Sequence, residues 1–111
     1  RSSDLMEDLK ILAKDTRNVY GAEAKYKVAQ IYFDGGQTDK AEQEVLNYIE
    51  VSTPHTYWLA RSFVLLADVY MKSGRNLDAK QYLLSLKQNY QADDDIAGMI
   101  ESRLEKLKTE N

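Results

Sequence analysis

The chain has 111 residues, a formal net charge of −3 and no cysteine. Disulfide scaffolds and thiolate zinc sites are thereby excluded, and the basic excess with which nucleic-acid binders displace phosphate counterions is missing. Hydrophobic residues make up 43% and charged residues 30%, the balance of a chain that folds in water, and no apolar run approaches the ~20 residues needed to span a bilayer.

Ala, Leu, Lys, Glu and Gln dominate, all good helix formers, and apolar residues recur at helical spacing. Six helices are therefore predicted. The first, over Ser3–Thr16, carries Leu5, Leu9 and Leu12. The second covers Asn18–Gly35 and the third Thr38–Val51, with Thr38 as candidate N-cap. The fourth spans Pro54–Ser73, with Pro54 in its first turn and Thr53 as cap. The fifth spans Asn76–Tyr90, capped by Asn76. The sixth spans Asp94–Thr109, with Ile96, Met99, Ile100, Leu104 and Leu107 as its apolar positions. Asp93, Asp94 and Asp95 suit its N-terminus, and Lys106 and Lys108 its C-terminus.

Sliding the sequence against itself by 38 residues produces a match. Ala22 falls on Ala60, Ala29 on Ala67, Tyr32 on Tyr70, Gly36 on Gly74 and Ala41 on Ala79; Val28 meets Leu66, Ile31 meets Val69 and Val45 meets Leu83. Small residues let two helices approach closely, tyrosines fill the space between helix pairs, and glycines take positive φ where one helix stops and the next begins. Each unit reads as two antiparallel helices. Residues 18–53 form one repeat and 54–92 the next. Residues 1–17 form a half-repeat, because Leu5, Leu9 and Leu12 stand 36 residues before Ala41, Val45 and Tyr48. Residues 93–111 form a charged terminal cap or the first half of a third repeat. The whole is read as one all-α domain, a fragment of a longer array.

These positions resemble the tetratricopeptide signature, W-x2-L-G-x2-Y followed by Gly, A-x3-F and Pro. The first repeat offers Lys25, Val28, Ala29, Tyr32, Gly36, Ala41 and Val45; the second offers Phe63, Leu66, Ala67, Tyr70, Gly74, Ala79 and Leu83. Lys25 departs from the large apolar residue of the signature. The resemblance implies an α–α superhelix of about six helices. The joints, with Thr53, Pro54, Tyr57, Trp58 and Ala60 in one and Asn89, Tyr90 and Asp93 in the other, look like those of bacterial envelope members of the family. That implies a periplasmic or outer-membrane-associated protein.

Catalytic chemistry is not foreseen. His55, the only histidine, stands beside Pro54 in a turn setting and reads as a surface or loop residue. The run Asp93–Asp95 lacks the alternating carboxylates, central Gly and closing Glu of a calcium loop, so helix capping is the better reading. Gly35-Gly36 has no following Lys-Ser/Thr and is no phosphate loop. Tyr57 and Trp58, at a repeat joint, read as packing. No cofactor and no metal is expected.

In tetratricopeptide arrays the first helix of each pair lines the concave face. The resemblance thus implies that Glu23, Tyr26, Gln30, Phe33 and Asp34 face a ligand in the first repeat, and Arg61, Val64, Asp68, Met71 and Lys72 in the second. Their spacing puts most of them on one helical stripe. The expected function is a non-catalytic scaffold that binds a peptide or partner protein. The alternatives are a structural segment, self-associating through its end helices, and an accessory domain of a larger enzyme. Gln30 and Asp68 replace the asparagines of the chaperone-tail clamp, and Asp68 is expected to repel a carboxylate, so no binding to chaperone C-termini is foreseen.

Overall fold

The 38-residue register has a direct structural counterpart in how each helix pair turns. The computed structural model describes residues 2–109 as six helices. These are α1 (Ser2–Leu12), α2 (Val19–Asp34), α3 (Thr38–Glu50), α4 (Thr56–Lys72), α5 (Asn76–Asn89) and α6 (Ile96–Thr109). There is no strand among the described residues. Gly36 has φ 80° and Gly74 φ 78°, and no other described residue has positive φ. Around each glycine the same two backbone bonds close the preceding helix. Gly36 N–H donates to Phe33 O and Gln37 N–H to Tyr32 O, while Gly74 N–H donates to Met71 O and Arg75 N–H to Tyr70 O. This is the Schellman motif, which satisfies carbonyls that a helix end leaves open. Its last residue, Gln37 or Arg75, is already the N-cap of the next helix, so each turn is as short as the motif itself.

This turn displaces the foreseen caps. Thr38 and Asn76 are the first residues inside α3 and α5, and neither cap residue makes a side-chain capping bond. Three further boundaries differ from the sequence reading by two residues or more; one is the start of α6, at Ile96 rather than Asp94, because Asp94 caps the helix from outside it, its side chain accepting the Ile96 N–H. α1 ends at Leu12 rather than Thr16, because Thr16 belongs to a clasp between loops: its Oγ1 donates to Ser52 O at 2.9 Å, and Thr53 Oγ1 donates to Thr16 O at 2.6 Å. That clasp engages Thr53, so α4 begins at Thr56 and Pro54 lies in the loop before it. His55 completes the clasp, half-buried, with Nε2 2.9 Å from Arg17 O.

The helices pack as an α–α superhelix of antiparallel pairs. α3 lies against α2 and α4, α5 against α4 and α6, α4 also against α2, and α1 against α2 alone. α6 lies against α4 and α5 as α4 lies against α2 and α3, the place that a first helix takes in a pair. The alanines sit where helices come closest: Ala22, Ala29, Ala41, Ala60, Ala67 and Ala79 are all at most 2% exposed. The main core gathers Val45, Leu65, Leu66, Tyr70, Leu83, Ile96, Ile100 and Leu107 around α4. A smaller cluster of Leu9, Ala24 and Val28 lies between α1 and α2.

At the N-terminal end the register weakens. Leu9 is buried, but Leu5 and Leu12 are 51% and 50% exposed, unlike Ala41 and Tyr48. α3 is clasped by α2 and α4, whereas α1 has a single neighbour among the described helices, so only one side of it is covered. Gly21 marks the closest approach at this end. A Cβ there would lie 1.8 Å from Asp15 O, so the start of α2 can press on the preceding loop only with glycine.

A candidate groove on the first-helix face

α2, α4 and α6 stand side by side, and their shared face is a shallow trough in two adjoining parts. One, about 190 Å³, is lined by Tyr26, Gln30, Phe33, Asp34, Arg61, Val64, Leu65, Asp68, Met99 and Arg103. The other, about 420 Å³, is lined by Phe33, Asp68, Met71, Lys72 and Lys106. Phe33 and Asp68 belong to both. Of the residues read from sequence, only Glu23 lies apart from this lining. It pairs instead with Lys27 one turn along α2, at 2.8 Å. Tyr26 and Val64 are 5% and 3% exposed and form the floor of the trough, while Gln30, Asp34, Met71 and Lys72 form its accessible walls.

Arg61 is the most elaborated side chain of this face. Its guanidinium lies 4.9 Å from the Tyr26 ring centre, 5.8 Å from that of Trp58 and 5.9 Å from that of Tyr57. These distances are those of cation–π attraction. One terminal nitrogen donates to Tyr57 Oη at 3.0 Å, the other to Tyr26 Oη at 3.1 Å. Burial works against its charge, but bonds to Tyr57 and Tyr26 more than offset this and hold the pKa above the ordinary arginine value. Tyr57 is itself raised, mainly by burial, and its hydroxyl donates to Asp95 at 2.9 Å. Trp58 lies against both tyrosines, tilted to Tyr26 at 5.6 Å and edge-to-face with Tyr57 at 5.0 Å. Tyr57 and Trp58 thus pack against the core as expected, and together with Tyr26 they cradle a cation.

The second pair on this face is ionic. Arg103 Nε donates to Asp68 Oδ1 at 2.7 Å and its NH2 nitrogen to Asp68 Oδ2 at 3.0 Å, a bidentate fork of the strong, orienting kind. Arg103 also donates to Met99 O at 3.0 Å. The repulsion foreseen between Asp68 and a carboxylate is therefore cancelled locally, because Asp68 already carries its counter-charge.

Leu65, Met99, Arg103 and Lys106 line the trough but were not foreseen there. Three of them lie on α6, from which the sequence reading took no ligand-facing position. The sequence does hold a signal: Tyr26 reaches Arg61, and Asp68 reaches Arg103, across the same separation of 35 residues. At the joint before α6, Asp94 accepts the Ile96 N–H at 2.9 Å and the Tyr90 hydroxyl at 2.5 Å, as a helix-capping aspartate does. Among the described residues no group of three or more His, Asp or Glu is placed to hold a metal ion, and no helix is long and apolar enough to cross a membrane. Compared with protein-family models, curated proteins and solved structures, the chain finds no match.

Proposed function

We propose that this chain is a non-catalytic protein-interaction scaffold of tetratricopeptide type, which holds a peptide segment or a partner helix along the trough of α2, α4 and α6. One observation carries the reading. Nine of the ten residues picked from the sequence for ligand contact line one continuous trough. The trough mixes buried aromatic floor with charged walls, the composition of interaction surfaces. The joint over Thr53–Ala60, by its likeness to joints of bacterial envelope proteins, is the ground for reading the partner as an envelope component.

A random-peptide display library, selected on the immobilised chain, supplies probes for the test. Gln30→Trp puts a bulky ring into the trough from a half-exposed position; Leu84→Trp does the same on α5, where Leu84 is 44% exposed. Binding of the selected peptides is expected to fall at least tenfold with Gln30→Trp and to persist with Leu84→Trp, at unchanged melting temperatures. Full binding by Gln30→Trp overturns the reading.

A second reading, self-association or continuation of the array, is favoured by the N-terminal end. Ile11, Leu12, Asp15, Asn18, Tyr20 and Gly21 line a groove there, and Ile11 and Tyr20 are 64% and 69% exposed. Light scattering that gives a monomer at all concentrations rejects self-association.

A further inference from the structure

Building on the scaffold reading, we propose that the trough selects an acidic, extended segment, with carboxylates seated at Arg61 and at Lys72 with Lys106, and an apolar side chain between them on Phe33 and Met71. The chain as a whole is acidic, at −3, but the trough is not. Its lining holds four cations, Arg61, Lys72, Arg103 and Lys106, against two anions, Asp34 and Asp68. Asp68 is taken up by the bidentate fork with Arg103. Arg61 meets only neutral tyrosine hydroxyls and rings, and among the described residues no carboxylate comes within ion-pair distance of it. Two of its five N–H donors are engaged, so others remain to take a carboxylate. Lys72 lies 5.9 Å from the Phe33 ring centre, which leaves its ammonium at the rim beside Lys106.

The spacing fixes the register of the segment. Arg61, Asp68 and Lys72 follow one stripe of α4, and Arg61 to Lys72 covers about 16 Å along the helix axis at ~1.5 Å per residue. An extended peptide spans that in about five residues at ~3.3 Å each. Two acidic residues four to six positions apart, with Leu, Ile, Met or Phe between them, meet both ends at once. The apolar seat favours a peptide over a nucleic acid, since Phe33, Met71 and Met99 face the same trough as the cations.

The selection on the display library tests this directly. The selected pool is expected to be enriched in paired Asp or Glu at that spacing, and its amidated synthetic members should bind at least tenfold more weakly to the Lys72→Glu, Lys106→Glu double variant. Both lysines are exposed, so the fold tolerates the change, and a melting curve equal to that of the parent chain verifies it. A basic or charge-neutral pool that still loses binding with Gln30→Trp overturns the acidic-segment inference and leaves the scaffold reading standing. So does a pool indifferent to the charge reversal, and so does retention of an oligo-dT probe in the trough in place of acidic peptides. Failure of the library to yield any binder that Gln30→Trp weakens overturns both.

Discussion

The two repeats solve one packing problem with opposite chemistry. In the second, Phe63 of α4 meets Tyr82 of α5, ring centres 6.1 Å apart. The equivalent positions of the first repeat, 38 residues earlier, are Lys25 and Glu44, whose charged ends lie 3.3 Å apart, with Asn47 accepting a second bond from Lys25 at 2.6 Å. The departure of Lys25 from the family pattern is therefore one half of a paired exchange. What both repeats keep is the pair of alanines at the crossing and the glycine at the turn. The geometry of a repeat thus follows from where helices may approach and where the backbone may reverse; the filler between them can be aromatic or ionic.

The repeats also differ in the core their equivalent side chains join. Leu66 and its register partner Val28 are both fully buried, but Leu66 packs in the main core around α4 and the smaller Val28 in the small cluster under α1. Leu66→Ala should cost about 3–4 kcal/mol and Val28→Ala about 1–2 kcal/mol, since the loss grows with the buried group removed and the cavity left. Urea unfolding of both variants measures this, and equal losses would break the comparison. A smaller effect sharpens it. Moving the aromatic pair into the first repeat, with Lys25→Phe and Glu44→Tyr together, should be neutral or stabilising by about 1 kcal/mol, because a partly buried ion pair loses in desolvation much of what it gains in attraction. A marked drop in melting temperature would show that the ionic pair is required there for more than filling.

Much of this was legible in the residues. Alanine at a helix crossing and glycine at positive φ are constraints local to one residue, so a single register exposed Ala22 with Ala60 and Gly36 with Gly74. Asp94 at the last helix start is legible for the same reason. What was not legible depends on neighbours. Leu5 and Leu12 match Ala41 and Tyr48 in pattern, yet stay exposed because α1 has one helix beside it. Pro54 has the chemistry of a first turn, yet Thr53 is engaged by the opposite loop. Of the ten positions that the resemblance implies on α2 and α4, all but Glu23 line the trough, whereas nothing pointed to the wall supplied by α6. There Arg103 finds Asp68 through the stagger between helices, which periodicity within one helix does not report.

The most direct measurement is amide chemical-shift mapping of the isotopically labelled chain with a peptide from the selected pool. The account predicts that the perturbed amides cluster along α2, α4 and α6, around Gln30, Phe33, Asp68, Met71 and Arg103. Perturbations centred on Ile11, Leu12 and Tyr20 at the N-terminal end, or on Leu46 and Leu84 of α3 and α5, would contradict it.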